Sequence, residues 1–240
     1  MDRPQYGYDA PGIMRGMLVA GAGLLAASVT AATVGQGRWP GIAAVTLAVA
    51  GVVPLFLGVV MFTYSAVGKM RMRDRMLDMV PWTGTETVLD VGTGAGLLLI
   101  GAARRLTTGR AIGIDVWATK DLSGDARAMI ARNAGIERVS GRCEVDTADA
   151  RALPMADESF DRVLSLLCLH NIEEPGGQDR ACQEIARVLR PGGTALIGDY
   201  VPTSRYAAAF AANGLRVTPS RTYFSTALGP MWLVRADKAA

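Results

Sequence analysis

The chain has 240 residues with 25 basic and 22 acidic side chains, which gives a formal net charge of +3. That balance lacks the large basic excess of a nucleic-acid-binding surface, so no nucleic-acid partner is predicted. Half of the residues are hydrophobic, and the three cysteines, Cys143, Cys168 and Cys182, have neither metal-ligand nor disulfide spacing. We therefore expect neither a metal site nor a disulfide-stabilised domain.

Two long uncharged apolar stretches fill the first quarter of the chain. No charged residue occurs between positions 16 and 35 or between positions 39 and 68. Because about 20 helical residues cross a hydrocarbon core about 30 Å thick, both stretches can span a membrane. We predict a helical transmembrane hairpin over residues 1–68, with spans at about 14–35 and 40–66. A cleaved signal peptide is the alternative for the first stretch, but it is long for such a peptide and a second span follows at once.

Basic residues beside the spans predict the topology. Arg38 lies in the short connection, whereas a cluster from Lys69 to Arg75 follows the second span. The bias predicts a two-span protein of the inner, cytoplasmic membrane, with both termini and the following domain in the cytoplasm. The basic cluster is expected to meet anionic lipid headgroups. Residues 1–12 are polar and are expected to be poorly ordered or to lie at the interface.

Small residues recur at four-residue spacing in the first span, at Gly12, Gly16 and Ala20. This spacing allows another helix to approach closely, either within the hairpin or in a homo-oligomer formed through the transmembrane helices.

Residues 69–85 predict an amphipathic juxtamembrane helix and linker. Met72, Met76, Met79 and Val80 share one face, opposite several basic residues. Such a helix could lie along the membrane surface, where its methionines would form an entrance for an apolar ligand. Alternatively, it could pack on the following domain. Both alternatives stay open.

Residues 86–240 alternate between strand and helix patterns, which predicts a doubly wound α/β domain. Apolar runs predict strands at 87–91, 111–115, 142–145, 162–167 and 194–198, separated by helices near 96–106, 121–134 and 179–189. A short helix at 205–213 and β-rich segments at 215–224 and 231–234 complete a seven-stranded mixed sheet.

A glycine turn follows the first predicted strand. Asp90 and the glycines Gly92, Gly94 and Gly96 form a D-x-G-x-G-x-G pattern that leads into an apolar helix. Glycines let the backbone approach a ligand without interference from a Cβ atom. The spacing differs from the G-x-G-x-x-G pattern of dinucleotide sites.

Asp115 ends the next apolar strand, where its carboxylate can accept both hydroxyls of a ribose. A helix N-cap or a solvated loop acid is the structural alternative. Trp117 could stack on adenine, with ordinary packing as its alternative.

Three further sequence motifs follow in order along the chain, at residues 149–154, 157–165 and 184–193. Together with the glycine turn and Asp115, they resemble the class I S-adenosylmethionine (SAM)-dependent methyltransferases, most closely the ubiquinone/menaquinone C-methyltransferase-like small-molecule branch. The resemblance implies a Rossmann-like fold that ends in an antiparallel hairpin, SAM as cofactor and S-adenosyl-L-homocysteine as product. It also implies that Asp90 contacts the amino acid part of SAM and that Asp149 accepts a hydrogen bond from the adenine amino group. The predicted cofactor-binding residues are Asp90, Gly92, Thr93, Gly94, Gly96, Asp115, Val116, Trp117, Asp149, Ala150 and Leu166.

Three residues after the fourth and fifth strands are candidates for chemistry on a substrate. His170 is the single histidine and is followed by Asn171; both should face the ligand, because open α/β sheets bind ligands at the carboxyl ends of strands. His170 can act as a general base, and a structural histidine is the alternative. The resemblance leaves this role open, since relatives often carry His-His or His-Trp here. Tyr200, after the fifth strand, is a further candidate and would form part of the pocket wall.

Only residues 201–204 separate Tyr200 from the next predicted helix, where many small-molecule methyltransferases insert a helical cap. We therefore expect the hairpin and residues 69–80 to cover the site. The sequence favours an integral-membrane SAM-dependent methyltransferase that acts on a hydrophobic, membrane-partitioning small molecule such as a quinone, isoprenoid or lipid. The alternatives are a membrane-tethered methyltransferase of a soluble small molecule or protein, and a non-catalytic SAM-binding membrane protein.

Overall fold

The computed structural model describes residues 4–117 and 125–240. Its first two helices are α1 (Pro11–Val34) and α2 (Arg38–Thr63), which form a hairpin close to the predicted bounds. Both are long and apolar enough to cross a membrane by length and composition. Pro40 lies in the first turn of α2, where proline is tolerated because it lacks only an amide hydrogen that would be unpaired there.

Glycines and one serine hold the hairpin together. A Cβ atom on Gly21 would lie 2.6 Å from the backbone nitrogen of Leu55, and one on Gly58 would lie 2.8 Å from the side chain of Leu18. The Ser28 hydroxyl donates a hydrogen bond of 2.7 Å to the carbonyl of Ala44. Gly12 and Gly16 have nothing within 4 Å of such a Cβ, so the predicted small-residue spacing is not what packs the hairpin.

The second helix does not end at the predicted boundary near residue 68. It passes through a π-helical turn, Tyr64–Gly68, directly into α3 (Lys69–Leu77). Met72, Met76 and Leu77 of α3 are fully buried in the core of the domain. Of the two alternatives for this segment, packing on the domain is therefore the one observed, and these methionines do not form a lipid-facing entrance.

The domain contains a seven-stranded sheet in the order β3-β2-β1-β4-β5-β7-β6. Its strands are β1 (Thr87–Val91), β2 (Arg110–Asp115), β3 (Cys143–Thr147), β4 (Phe160–Leu166), β5 (Leu189–Asp199), β6 (Arg216–Thr222) and β7 (Trp232–Asp237). The first five strands are parallel, and β7 runs antiparallel between β5 and β6. The predicted mixed sheet with a terminal antiparallel hairpin is confirmed.

Helices cover both faces of this sheet, as expected for a doubly wound fold. The helices are α4 (Leu97–Ala103), α5 (Ala126–Ile136), α6 (Gly177–Val188), α7 (Ser204–Ala212) and the short α8 (Phe224–Ala227). Leu98 and Ile130 pack with the α3 methionines in one apolar cluster, whereas Ile185 and Phe210 belong to a second cluster. The parallel strands between the two clusters are buried on both faces, which explains their continuous apolar runs.

Several boundaries differ from the predictions. β5 begins at Leu189 rather than near residue 194, because Leu189 already pairs with Phe160 ahead of a bulge. Phe224 begins the helix α8 instead of ending a strand. The predicted helix 121–134 falls partly outside the described residues, and within them α5 begins after Asp125, whose carboxylate caps it by accepting from the Ala128 amide.

Candidate functional site

A cavity of about 950 Å³ lies at the carboxyl ends of the parallel strands. Open α/β sheets bind ligands at this edge, and the volume is near the upper end of the roughly 300–1,000 Å³ typical of ligand pockets. Twelve of the fourteen predicted site residues line it: Asp90, Gly92, Thr93, Gly94, Asp115, Val116, Asp149, Ala150, Leu166, His170, Asn171 and Tyr200. The cavity therefore brings the ends of five strands to one place.

The glycine turn forms one wall of the cavity. Gly92, Gly94 and Gly96 all have positive φ angles, of 73°, 51° and 83°, which side-chain-bearing residues rarely adopt. A Cβ atom on Gly92 would overlap the side chain of Cys168. Gly96 immediately precedes α4 and does not line the cavity, so its position is that of a helix start.

Asp90 lies at the base of this turn and is buried. Its Oδ2 accepts hydrogen bonds from the Thr93 hydroxyl at 2.8 Å and from the Leu99 amide at 2.9 Å. Its Oδ1 is buried and accepts none from any described residue. Burial raises the pKa of Asp90 to about 7, against the two hydrogen bonds, which lower it. A cationic ligand group beside Oδ1 would favour the ionised carboxylate.

Asp115 holds the opposite side of the turn. Its Oδ2 accepts from the Gly94 amide at 2.9 Å, and its Oδ1 accepts from the Trp117 amide at 2.8 Å. Each oxygen keeps a further lone pair for a ligand hydroxyl. Asp115 does not cap α5, a role that belongs to Asp125, and it is half-buried. An N-cap role at α5 is therefore not observed for Asp115, and its contact with a ribose stays a prediction.

Trp117 does not line the cavity. Its indole Nε1 donates to the Thr147 hydroxyl at 3.0 Å, and the Arg127 guanidinium lies 4.8 Å from its ring centroid. These contacts fit the packing alternative, and stacking on adenine stays a prediction.

Asp149 is already engaged by a neighbouring side chain. Arg151 donates to both of its carboxylate oxygens and also binds Glu174. Hydrogen bonds from Arg151 hold the pKa of Asp149 below its usual range. Asp149 is therefore ionised at neutral pH and can only accept hydrogen bonds, as contact with an amino group would require.

His170 lies next to the buried carboxylate of Asp199. Its Nδ1 lies 2.8 Å from Oδ1 of Asp199, although the ring N–H does not point straight at that oxygen. Asp199 is fully buried and also accepts hydrogen bonds from the Tyr206 hydroxyl and the Tyr200 amide. Asp199 therefore lies beside Nδ1, and Nε2 is on the opposite side of the imidazole ring.

The other two candidates flank this histidine. Asn171 is exposed and ends the short 3₁₀ turn Leu169–Asn171. The Tyr200 ring packs edge-on against the His170 ring, with centroids 4.4 Å apart. Cys168 also lines the cavity, but burial raises the pKa of its thiol to about 12, so it is not a thiolate at neutral pH.

The N-terminal segment Pro4–Ala10 crosses this site, contrary to the expectation of a poorly ordered terminus. The Gln5 amide donates to Asn133 Oδ1 at 2.9 Å, and Asn133 Nδ2 donates back to the Gln5 carbonyl at 2.7 Å. The buried ammonium of Lys69 donates to the Tyr6 and Gly7 carbonyls and lies 3.3 Å from Asp9. We call this segment the strap.

The strap and the hairpin complete the cavity wall, and sequence reasoning missed most of these residues. The additional lining residues are Tyr6, Asp9 and Ala10 from the strap, and Ile13, Met17, Leu57, Val60, Met61, Tyr64, Ser65 and Lys69 from the helices. The hairpin therefore forms a wall as expected, whereas residues 70–80 do not line the cavity. The missing helical cap was the one signal in the sequence that something else had to cover the site.

Residues 89–197 match the family model described as a methyltransferase domain. This part of the chain is a methyltransferase domain. Solved structures with the same fold include a SAM-dependent methyltransferase from Aquifex aeolicus (TM-score 0.56, 19% identity, 70% of this chain and 90% of that one).

Two curated relatives are similar over this domain. The methyltransferase GfsG of Streptomyces halstedii is 35% identical over 132 residues, which are 55% of this chain and 44% of that protein. A demethylmenaquinone methyltransferase of Roseiflexus castenholzii is 35% identical over 107 residues, which are 44% of this chain and 39% of that protein. The chain spans less than half the length of these two relatives.

A solved structure with the same fold is the geranyl diphosphate C-methyltransferase of Streptomyces coelicolor, in complex with geranyl diphosphate and S-adenosyl-L-homocysteine. Its TM-score is 0.55 at 15% identity, and the match covers 70% of this chain and 78% of that one.

The residues of the methyltransferase domain fit SAM by charge and shape. The unpartnered Oδ1 of Asp90 is buried at the cavity wall, where the ammonium of a bound amino acid group would satisfy it. Asp115 offers lone pairs at the end of β2, and the glycine turn between the two carboxylates leaves the backbone accessible. A cationic cofactor with a ribose matches this donor and acceptor set.

Proposed function

We propose that the protein is an integral-membrane SAM-dependent methyltransferase that transfers a methyl group to a hydrophobic, membrane-partitioning small molecule. One observation carries the proposal: a single cavity is lined both by the glycine turn with Asp90 and Asp115 and by apolar side chains of the hairpin, among them Leu57 and Val60. An apolar molecule that enters beside the helices would reach the cofactor site without crossing water.

The exposure of the hairpin supports a place in the membrane. Only 6% and 11% of the most apolar windows of its two helices are buried inside the protein, whereas the core helix of a water-soluble protein would be mostly buried. Large apolar residues such as Val19, Val45 and Phe56 are exposed along it. A contiguous apolar surface of this size is stable in lipid and prone to aggregate in water. We place the protein in the inner membrane, with both termini and the domain in the cytoplasm. Arg71 and Arg75, the exposed members of the basic cluster, would face anionic lipids, whereas Lys69 and Arg73 are buried.

The proposed cofactor contacts follow from the site. Asp90, Thr93 and the turn at Gly92 and Gly94 would hold the amino acid part of SAM, and Asp115 would hold the ribose. Asp149, with Val116, Ala150 and Leu166 nearby, would hold the adenine. Bound SAM supplies an electrophilic methyl group on its sulfonium. The task of the protein is then to orient the acceptor and exclude water, which can lower a barrier by several kcal/mol.

His170 is the proposed general base. In the tautomer that carries its proton on Nδ1, beside Asp199, Nε2 would take a proton from the acceptor as the acceptor gains the methyl group and S-adenosyl-L-homocysteine leaves. Asp199 would stabilise a positive charge on the ring because its carboxylate is buried and its Oδ1 lies 2.8 Å from Nδ1. Asp199 acts through His170 and is a positioning residue.

A second candidate has its own support. Arg151, Glu173 and Glu174 also line the cavity, so one side of it is polar and charged. A membrane-tethered methyltransferase that takes a soluble small molecule or protein group from this side would use the hairpin as an anchor only. A SAM-binding membrane protein without catalysis is the third candidate.

The test supplies methyl-labelled SAM to membranes that contain the protein and a total cell extract, then separates organic from aqueous phases. The proposal expects label in the organic phase, abolished by Asp115→Ala. Val60→Phe, which fills the cavity, should reduce that label strongly, whereas Val59→Phe on the exposed side of the same helix should not. Label only in the aqueous phase would establish the tethered alternative, and SAM binding without transfer would establish the non-catalytic one.

A further inference from the structure

Tyr64 connects the second hairpin helix to the site. It begins the π-helical turn Tyr64–Gly68, and π turns inside α-helices frequently occur at functional sites. Tyr64 and Ser65 are buried on the cavity side of the turn, whereas Val67 is exposed. Gly68 fixes the turn against α8, because a Cβ atom there would overlap the carbonyl of Ala227.

The side chain of Tyr64 is 9% exposed and lines the cavity, yet its hydroxyl has no hydrogen-bond partner within the described part of the chain. Buried hydroxyls nearly always have a partner, so this one needs an explanation. The charged groups that act electrostatically on it are Asp9 and Asp199. Tyr64 and the proposed base His170 line the same cavity.

Tyr6 offers a contrast. Its hydroxyl is also buried without a hydrogen-bond partner among the described residues, but the charged groups around it are Arg73, Glu137 and Arg104. These residues do not line the cavity. The Tyr6 hydroxyl is therefore surrounded by charges outside the cavity lining, whereas Asp9, one of the two charges around the Tyr64 hydroxyl, belongs to that lining.

The charged residues that line the cavity limit the charge of a ligand group that can bind beside Tyr64. Its acidic lining residues include Asp9, Asp90, Asp115 and Asp149. Its basic lining residues among those described are Lys69 and Arg151, and both are already paired, the first with Asp9 and strap carbonyls and the second with Asp149 and Glu174. No described cation of the wall is free to neutralise a phosphate or carboxylate. Such a group would be desolvated beside like charges.

We propose that the Tyr64 hydroxyl donates a hydrogen bond to an oxygen of the methyl-accepting molecule, and that this molecule is apolar and uncharged. Its polar end lies between Tyr64 and His170, and its apolar part lies against Ile13, Leu57 and Val60 at the ends of the hairpin helices. The inference rests on the proposed function and narrows it, because phosphorylated isoprenoids and anionic lipids are disfavoured. Tyr64 is then a specificity-determining residue that a membrane helix supplies to the site.

The test uses the full-length protein in detergent with saturating S-adenosyl-L-homocysteine and three probes: 1-naphthol, naphthalene and 1-naphthyl phosphate. We expect 1-naphthol to bind at least tenfold more tightly than either of the others. Tyr64→Phe should weaken 1-naphthol about tenfold and leave naphthalene unchanged, since only the hydroxyl is removed. Tyr8→Phe is the matched control, because Tyr8 is exposed, stacks on Phe62 and lies outside the cavity lining.

Equal losses for 1-naphthol and naphthalene in Tyr64→Phe would assign the residue a packing role and overturn the proposal. So would an unchanged preference in that variant, the absence of a preference in the unmodified protein, or tighter binding of 1-naphthyl phosphate. The methyl-label assay on the same preparations separates the two proposals. Label transfer that Tyr64→Phe leaves intact contradicts the role of Tyr64 alone. Hydroxyl-dependent binding without any label transfer supports that role and contradicts the proposed function.

Discussion

The Nδ1 atom of His170 lies 2.8 Å from a carboxylate oxygen of the fully buried Asp199. A carboxylate in this position can orient the ring and leave its second nitrogen for the proton of a substrate, which is the arrangement a general base needs. Asp199 itself is held by the hydroxyl of Tyr206 at 3.1 Å. The pair connects β5 to the turn after β4 directly below the cavity.

His170→Ala should lower the rate of methyl transfer by about 10²–10⁴-fold, the usual contribution of a general base. Binding of S-adenosyl-L-homocysteine should stay within about twofold, because His170 is outside the proposed cofactor contacts. Rapid-quench measurement of labelled methyl transfer and a separate binding titration check the two parts.

Asp199→Asn tests positioning with nearly the same shape and should lower the rate of methyl transfer while leaving the affinity for S-adenosyl-L-homocysteine unchanged. Tyr206→Phe should lower the rate less than Asp199→Asn does, since it removes one of several hydrogen bonds to the Asp199 carboxylate. A His170→Ala protein that transfers methyl at the normal rate would show that the histidine is structural.

Asp90 predicts a pH dependence of cofactor binding. Burial raises its pKa to about 7, so in the ligand-free protein it gains a proton as the pH falls through 7. A cationic ligand group favours the carboxylate, so binding below pH 7 must release a proton. The affinity for S-adenosyl-L-homocysteine should therefore increase about tenfold from pH 6 to pH 8. Calorimetry in buffers of different ionisation enthalpy measures the released proton. Asp90→Asn should bind more weakly with no such slope, and a flat profile in the unmodified protein would contradict the assignment.

Gly92→Ala should disrupt the glycine turn. The residue has a φ of 73°, and an added Cβ would overlap Cys168, so strain and overpacking act together. We expect the free energy of unfolding to fall by about 2–4 kcal/mol and cofactor binding to be lost. Gly135→Ala in α5 is the control, because nothing lies within 4 Å of its Cβ position, and it should change stability by no more than about 1 kcal/mol. Thermal unfolding with and without S-adenosyl-L-homocysteine distinguishes them, and equal midpoints would refute the packing argument.

Asn133→Ala should release the strap. The Asn133 side chain is buried and exchanges two hydrogen bonds with the Gln5 backbone. Without them, amide hydrogens of residues 5–10 should exchange at least tenfold faster, and S-adenosyl-L-homocysteine should dissociate faster because the strap lines the cavity. Hydrogen-exchange mass spectrometry measures the first effect. Asn213→Ala removes an amide that bonds only within its own helix end and should leave the strap protected. Unchanged protection in Asn133→Ala would mean that other contacts, such as those of Lys69 and Ser65, are sufficient to hold the strap.

The sequence was sufficient for the parts of the fold that local patterns encode. Continuous apolar runs predicted the buried parallel strands, and the turn from Asp90 to Gly96 was found by its glycines. The strap was missed because Gln5 and Asn133 are 128 positions apart and no periodicity links them. The amphipathic pattern of α3 was ambiguous, since an apolar face suits a bilayer and a protein core equally. The π turn that directs Tyr64 inward leaves no compositional mark.

The second hairpin helix continues without a loop from Arg38 to Leu77, a rod of 40 residues and about 60 Å. Its end is embedded in the domain core, where Met76 is fully buried. In the proposed membrane placement, this continuous helix is about twice as long as the hydrocarbon core is thick. It therefore does not allow the domain to rotate freely relative to the bilayer. The mouth of the cavity is then held at a fixed height above one leaflet. Encounter with the acceptor becomes a search in two dimensions, and the concentration that governs the rate is the one dissolved in that leaflet.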